Sequence, residues 1–329
     1  MIRNKKAIYI LFTLLISANI IHAGAFKKYA SEFMYLGADG RGAAMGSAFT
    51  AISGDVTSIY WNPAGLVESQ GVQAQFMHSK RFINDIRQNY LSFSMPYTES
   101  STIAASLYYL TVNDIPDSRD IYNEAIGKAE YDKLKRFNVG DYILTLAYAQ
   151  KYHSNIDFGV NVKFIYSDLE IESATGIGFD AGVKYTLDNL KLGLVLRDFT
   201  STLMAWSTGT KEFVTPSARF GAAYNFNITS LNLRVIPAVD LNILAENRDY
   251  SAQVNAGPFS VDVLAGMEIS YDDLLALRFG MDDLQRVNAG IGIALPRVTV
   301  DYAFTEYESE LGNIHRISFH LFLGNVFQN

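Results

Sequence analysis

Charged side chains recur at alternate positions of strand-like segments, with apolar residues between them. The set comprises Lys163, Asp180, Lys184, Lys191, Arg197, Arg219, Arg234, Asp240, Glu268, Arg278, Asp301, Arg316 and His320. Alternate residues of a strand point to the same face of a sheet, so these side chains share one face. We expect most of them to form ion pairs with one another and contacts with an inserted segment. Arginine is the commonest type in the set, which also predicts an anion site somewhere on that face.

Other arrangements that support catalysis or metal binding do not occur in this sequence. The histidines after residue 23 are His78, His153, His315 and His320, and none has a zinc-ligand spacing. A Ser-His hydrolase site in a barrel wall would need an outward-facing histidine. His78 is the one candidate, near a strand end, where an interfacial histidine is the simpler interpretation. The chain has no cysteine, which excludes thiolate chemistry and disulfides. We therefore predict no enzyme activity, metal or cofactor.

Charge and glycine content also exclude nucleotide and nucleic-acid partners. The net charge of −7 and the pI near 5.3 give no basis for nucleic-acid binding. The glycines near the N-terminus are Gly37, Gly40, Gly42 and Gly46. Their spacing does not match the dinucleotide fingerprint, and no strand precedes them.

The first 23 residues have the pattern of a secretory signal peptide. Arg3, Lys5 and Lys6 form a basic start, 7–21 is mostly apolar, and 21–23 is an acceptable cleavage site. A membrane anchor is the alternative, but a spanning helix needs about 20 apolar residues. We therefore expect cleavage after residue 23 and a mature chain that lacks a membrane helix.

From residue 71 to the end, apolar residues alternate with polar or small ones in fourteen segments. Most segments have the length that a tilted strand needs to cross a bilayer. Connections after odd-numbered strands are mostly longer than those after even-numbered strands, which is typical of outer-membrane barrels. The long polar stretch 112–141 is predicted to be an extracellular loop with a short helix around Ile121–Leu134. Pro237 cannot donate to a ladder, so we expect a bulge or local break there.

A soluble β-sandwich also alternates, but two features of the pattern favour a membrane barrel. The apolar register carries no Asp, Glu, Lys or Arg in any segment, and a lipid-facing Arg or Lys would cost roughly 2–4 kcal/mol at the midplane. Tyrosines also recur at strand ends, as in an interfacial belt. They are Tyr97, Tyr142, Tyr152, Tyr166, Tyr185, Tyr271 and Tyr307. We predict an all-β fold, a 14-stranded antiparallel transmembrane β-barrel spanning 71–329, with both termini periplasmic.

A barrel of this size cannot fill its interior with its own side chains, so either another segment occupies it or it is a pore. Residues 24–70 are the natural plug. This segment is rich in small residues, and Met45, Ala48, Phe49 and Ile52 have the spacing of one helix face. Asn62 precedes a proline, so any helix should end by that point. Candidate plug or ligand-gate residues are Arg41, Met45, Phe49, Asp55, Trp61, Asn62 and Pro63. For Arg41, Asp55, Trp61 and Asn62 we favour holding the plug in place over contact with a ligand.

The run 37–66, GADGRGAAMGSAFTAISGDVTSIYWNPAGL, resembles the N-terminal signature of the PorV/PorQ family, which belongs with FadL-type outer-membrane transporters. The resemblance is carried by Arg41, Met45-Gly46, Ala48-Phe49, Asp55 and 60–66. Ser47 stands where the family pattern usually has a second glycine. The resemblance implies an N-terminal hatch inside the barrel.

The resemblance also implies two alternative functions. FadL-type members take up hydrophobic molecules past the hatch, so we expect a transporter or channel for a fatty-acid-like ligand, with an apolar cleft beneath the long loop. PorV-type members serve type IX secretion, which predicts a sealed lumen and loops that bind exported proteins. A soluble secreted β-protein is a third hypothesis. The expected partners are outer-membrane lipid and either a hydrophobic small molecule or secretion-system proteins.

Overall fold

The computed structural model describes residues 32–82, 86–119, 121–123, 127–246, 248, 251–307 and 312–324. The predicted signal peptide and the first part of the predicted plug, 24–31, lie outside the described residues. Among those that are described, no helix is long and apolar enough to cross a membrane.

Fourteen antiparallel strands form the wall, as the alternation predicted. We number them β1 (Val72–Arg81), β2 (Ile86–Thr98), β3 (Ser101–Asp117), β4 (Lys135–His153), β5 (Ile156–Asp168), β6 (Ser173–Leu187), β7 (Leu190–Arg197), β8 (Ser217–Tyr224), β9 (Leu233–Leu244), β10 (Phe259–Tyr271), β11 (Leu275–Met281), β12 (Val287–Ala294), β13 (Val298–Thr305) and β14 (Ile314–Gly324). Each pairs with the next, and β1 pairs with β14 from Val72 to Lys80. The sheet is therefore a closed barrel.

The barrel is apolar outside and polar inside, which is the reverse of a soluble protein. Exposed outward residues include Phe76, Leu91, Phe93, Leu144, Leu146, Phe164, Leu192, Phe220, Leu241, Leu277, Phe279, Ile291, Ile317 and Phe319. The polar and charged residues of the opposite register are mostly buried. Exposure of such an apolar band to water would be unfavourable, whereas its contact with lipid is favourable. The hypothesis of a soluble secreted β-protein is therefore wrong.

The longest connections all lie at one end of the barrel. At one end, connections 99–100, 154–155, 188–189, 272–274 and 295–297 are tight, and 225–232 is the longest. The other end carries the three longest connections, 118–134, 198–216 and 245–258, and four shorter ones, 82–85, 169–172, 282–286 and 306–313. We call these the short-turn end and the long-loop end. The loop expected at 112–141 is shorter than predicted, because β3 and β4 continue their ladder to Asp117 and Lys135.

The helix expected around Ile121–Leu134 was wrong. The structure instead has a two-stranded ladder between Tyr122–Asn123 and Lys128–Ala129, followed by a 3₁₀ turn at Tyr131–Lys133. The loop 198–216 similarly forms a hairpin, Thr202–Trp206 with Lys211–Val214, whose first strand extends the sheet beside β6. The described residues of both long loops thus include local strand pairs.

Pro237 interrupts the sheet on one side only. Its own strand, β9, pairs with β10 in one unbroken register, so there is no bulge. On the other side the ladder ends at Ala223–Ala238 and resumes, in the same register, at Phe226–Val235. The expected local break therefore lies opposite Pro237, where its missing N–H leaves the neighbouring strand without a donor.

Two tyrosines of the predicted belt, Tyr142 and Tyr166, form a continuous row on the outer face with Tyr109, which was not in the prediction. Tyr109, Tyr142 and Tyr166 are cross-strand partners on β3, β4 and β5. Their rings stack at centroid distances of 6.5 and 6.2 Å. Such stacking is favourable between neighbouring strands and places aromatic rings together on the lipid-facing surface.

The plug consists of short helical turns inside the lumen. A 3₁₀ turn covers Glu32–Tyr35, helix α1 covers Gly40–Ala44, helix α2 covers Ser58–Trp61, and a 3₁₀ helix covers Pro63–Glu68. Helix α2 ends at Trp61 with Asn62 extended, as the following proline predicted.

The helix expected through Met45 and Ile52 was wrong. Helix α1 stops at Ala44 because Gly46 and Ser47 both have positive φ, +62° and +64°. The N–H of Ser47 donates to the Gly42 carbonyl and that of Gly46 to the Ala43 carbonyl, which is a Schellman C-cap. Met45 and Ile52 nevertheless lie in one buried cluster with Phe49. Their spacing therefore identified a shared core, but not a helix.

Candidate functional site

The plug lies directly on glycines of the wall. These inward-facing residues are Gly159, Gly182, Gly193, Gly221, Gly266, Gly280 and Gly290, on β5 to β8 and β10 to β12. A Cβ atom on any of them would lie less than 3.0 Å from an atom of the plug. The absence of side chains lets the plug fit tightly against seven of the fourteen strands.

A buried chain of ion pairs connects the plug to the wall between β10 and β13. Arg41 of α1 binds Glu268 through two hydrogen bonds of 2.7 and 2.8 Å. Glu268 also accepts a 2.6 Å hydrogen bond from Arg278, which in turn binds Asp301 at 2.6 Å. Asp55 lies 3.8 Å from Arg41 at the other end of the chain. Five of the predicted site residues thus form one network that holds the plug.

Charge interactions within this network keep its two plug residues, Arg41 and Asp55, ionised. Burial alone would lower the pKa of Arg41, but the Glu268 carboxylate raises it above its ordinary value. Burial would raise the pKa of Asp55, but the charges of His320 and Arg41 and hydrogen bonds from Thr57 lower it. Both plug residues therefore stay charged at neutral pH.

Asp240 and Asn62 fix the plug backbone to the wall. The Asp240 carboxylate of β9 accepts hydrogen bonds from the N–H groups of Phe49 and Thr50, at 3.1 and 3.0 Å. The Asn62 amide donates to the carbonyls of Thr50 and of Val183 on β6, at 3.0 and 3.2 Å. Its oxygen caps the 3₁₀ helix that begins at Pro63. The Asn-Pro motif therefore holds the plug backbone against the barrel wall.

Trp61 is the centre of the plug core. Its indole N–H donates to Asp39 at 2.7 Å, and its ring lies 5.6 Å from that of Phe49. The guanidinium of Arg41 lies 5.3 Å from the Phe49 ring centroid. Asp39 caps α1 by accepting from Gly42, and burial raises the pKa of Asp39 to about 6.

The remaining lumen charges also brace the plug or one another. Lys163 binds Asp180 and Asp198 at 2.7 and 2.6 Å. Lys184 and Lys191 both bind Glu68, the last residue of the plug's 3₁₀ helix, at 2.8 and 3.3 Å. Arg197 donates to the Tyr60 carbonyl at 3.2 Å and lies over its ring. Arg234 lies at the short-turn rim, where it binds Asp273 at 2.9 Å.

A cavity lies on each side of the plug. The larger, of about 550 Å³, is at the long-loop end and is lined by apolar side chains, by arginines and by the carboxylates of Glu246, Asp282 and Asp283. The apolar lining includes Phe33, Leu110, Val214, Leu244, Leu264 and Ile314. The smaller, of about 170 Å³, is at the short-turn end beside the Arg41–Glu268 network. A cavity therefore adjoins the plug, but it is lined by charged as well as apolar side chains, and none of the described residues of the loop around Ile121–Leu134 contributes to it. The apolar cleft expected beneath that loop stays a prediction.

Three buried arginines of the larger cavity have no carboxylate within 4.0 Å among the described residues. Arg219 donates weakly to the Ser47 carbonyl, at 3.3 Å, and to Asn242 at 3.5 Å. Arg81 and Arg316 both donate to the carbonyl of Leu36, at 3.0 and 2.8 Å. The anion site that the arginine excess predicts stays a prediction.

The comparison that decides the family is with a family model described as "Type IX secretion system protein PorV", which matches residues 26–249. The chain belongs to the PorV family. The match covers the whole described plug and β1 to β9. No curated protein matches the chain.

Solved structures with the same fold are hydrocarbon transporters and channels. This PorV-family barrel matches the P. putida toluene transporter TodX with a TM-score of 0.56 at 12% identity, over 89% of this chain and 99% of that one. It matches the Ralstonia pickettii toluene transporter TbuX with a TM-score of 0.54 at 10% identity, over 88% and 99%. The monoaromatic hydrocarbon channel CymD gives 0.52 at 10%, over 89% and 99%. These matches show the FadL-like fold.

Sequence reasoning missed several residues that matter in this PorV-family site. Asp39 and Tyr60 were not selected, although both bind within the plug. Nor were the inward-facing glycines or Arg81 at the cavity. The glycines carried a usable signal, since they occupy lumen-facing positions where polar side chains otherwise recur. Among the described residues, no group of three or more His, Asp or Glu side chains could hold a metal ion.

Proposed function

We propose that this outer-membrane barrel is a type IX secretion component whose long-loop end binds exported proteins. The observation that carries the proposal is the tightness of the plug, which lies on wall glycines and is held by the buried Arg41–Glu268–Arg278 chain. A sealed lumen favours work at the surface over passage through the barrel. Membership of the PorV family supports the same function.

The proposed orientation has the short turns in the periplasm and the long loops outside. It places the end of β14 at the periplasmic side, together with the start of β1, in keeping with the prediction for the C-terminus. The first described residues, Glu32–Tyr35, contribute to the long-loop cavity instead. The periplasmic N-terminus stays a prediction, because 24–31 lie outside the described residues.

Exposed aromatics on the long loop are the natural contacts for an exported protein, since interfaces are enriched in tyrosine. Tyr131 is 75% exposed there. Tyr152 is 65% exposed at the short-turn end and serves as a matched control. We expect Tyr131→Ser to weaken binding of exported proteins and Tyr152→Ser to leave it unchanged.

The test is deletion of the gene in the source organism, with surface and medium proteins quantified by mass spectrometry. Deletion should deplete a subset of exported proteins, and complementation should restore them with Tyr152→Ser but only partly with Tyr131→Ser. Unchanged export after deletion would contradict the proposal.

Uptake of a hydrophobic small molecule is a second candidate, favoured by the larger cavity. Its volume lies within the usual 300–1,000 Å³ of ligand sites, and its lining combines apolar side chains with charged groups of both signs. In this case the plug would act as the gate. Native mass spectrometry of detergent-purified protein tests the idea: wild type should retain a lipid or hydrocarbon ligand that Leu264→Arg, on the cavity wall, loses. A ligand-free wild type would remove this candidate.

A further inference from the structure

The seam where the barrel closes carries two arginines that face the cavity together. Arg81 is the last residue of β1, and Arg316 lies near the start of β14. In the β1–β14 ladder, Arg316 is opposite Ser79, so Arg81 is its diagonal neighbour on the same face. Both side chains are at least nine-tenths buried, and both line the larger cavity.

Neither arginine has a carboxylate within 4.0 Å among the described residues, and of the carboxylates that line the same cavity, Asp282 is paired with Arg286 at 2.8 Å. Arg81 binds the side chain of Gln88 at 2.8 Å, and both arginines bind the Leu36 carbonyl. The Nε of Arg316 is buried without any hydrogen-bond partner. Two adjacent buried cations repel each other, and an unpaired buried donor is costly. An anion between them would remove both penalties.

The charge of the pair identifies the class of anion. A single carboxylate would neutralise one arginine and leave the other unpaired. A phosphate group carries about −1.5 to −2 charges at pH 7 and several strong acceptor oxygens. Guanidinium groups bind it through paired hydrogen bonds. We propose that Arg81 and Arg316 form a phosphate-binding site in the long-loop cavity, for free phosphate or for the phosphate group of an amphiphile.

The surroundings of the pair suit this ligand. The site adjoins the N-terminal part of the described plug, because both arginines donate hydrogen bonds to the Leu36 carbonyl. The N–H of the next residue, Gly37, donates to the Tyr60 hydroxyl. Apolar side chains of the same cavity, Phe33, Leu110 and Ile314, can receive an acyl or alkyl chain. The site differs from the Arg41–Glu268 network, which lies on the other side of the plug. It does not depend on whether the protein serves secretion or uptake.

Isothermal titration of the full mature chain in detergent, at constant ionic strength, tests the proposal. The probes are inorganic phosphate, hexyl phosphate and, as a carboxylate control, hexanoate. Wild type should bind at least one of the two phosphates and bind hexanoate more weakly. Arg316→Gln should weaken phosphate binding about tenfold or more. Arg234→Gln, which changes an arginine of the short-turn rim, should bind like wild type.

The two phosphate probes distinguish the source of the anion. Equal affinities indicate free phosphate, and much tighter binding of hexyl phosphate indicates a phosphorylated amphiphile. Barrel folding is checked by the heat-dependent gel mobility of each variant. If Arg316→Gln does not fold, Arg316→Lys keeps the charge and should still bind phosphate more weakly, because it loses the paired geometry. Absence of binding to wild type, or wild-type affinity in a folded Arg316 variant, would overturn the proposal.

Discussion

The buried ion-pair chain offers the sharpest test of how the plug is held. Glu268 is 2% exposed in its side chain and is the shared partner of Arg41 and Arg278. Replacing it by glutamine removes one charge and little volume. Arg278 keeps Asp301, but Arg41 keeps only Asp55, at 3.8 Å. Breaking a buried pair from one side costs about 3–5 kcal/mol. The undocked plug should therefore become at least about a hundredfold more populated.

The chain has two tryptophans, which makes the assay direct. In a Trp206→Phe background the emission of Trp61 reports the plug alone, because Trp61 lies in its core. Urea titration in detergent should show an earlier Trp61 transition for Glu268→Gln, while circular dichroism shows the barrel transition unchanged. Arg234→Gln is the matched control, since its pair with Asp273 is exposed and worth about 0–1 kcal/mol.

A double-mutant cycle decides whether the pair itself carries the effect. Adding Arg41→Gln to Glu268→Gln should cost less than about 1 kcal/mol, because the partner is already gone. A loss below about 0.5 kcal/mol in Glu268→Gln, or additive losses in the double variant, would refute the reasoning.

Three further changes test the packing, the membrane face and the pH response. Gly280→Ala should destabilise plug docking by about 1–3 kcal/mol in the same titration, since its Cβ meets plug backbone, whereas Gly140→Ala, whose Cβ meets only a tyrosine side chain, should not. Leu277→Arg, on the lipid-facing side of β11, should lower folding stability in bilayers by roughly 2–4 kcal/mol, and Leu295→Arg at the rim by about 0–1 kcal/mol. The pKa of Asp39 is raised to about 6, so its contribution to docking is full below about pH 4 and is lost as pH rises through about 6. Urea titrations between about pH 4 and about pH 6 should show that the free energy of plug docking falls with pH in the wild type but not in Asp39→Asn. Identical pH profiles for the two proteins would contradict this prediction.

The barrel could be predicted because lipid constrains every outward position separately. A charge at Leu91 or Phe279 would face hydrocarbon, so the period of two persists along each strand. The ends of β3 and β4 could not be located from the alternation of apolar residues. Beyond the bilayer a strand can continue its ladder with polar residues on both faces, so the alternation stops before the strand does.

The plug was less predictable, since its conformation is set by the wall. The spacing from Met45 to Ile52 fits a helix, but positive φ at Gly46 and Ser47 ends α1 first. The ion-pair partners of the lumen charges depend on the register between strands that are far apart in the sequence. The network of Arg41, Glu268 and Arg278 could therefore be expected as a type of interaction, but its partners could not be named in advance.

Ion conductance of the wild-type protein in planar bilayers tests the central claim, that the plug closes the lumen, most directly. The contacts with the wall glycines and the Glu268 network predict no discrete conductance steps from the wild type, and intermittent openings from Glu268→Gln. Stable open-pore currents from folded wild-type protein would contradict the account.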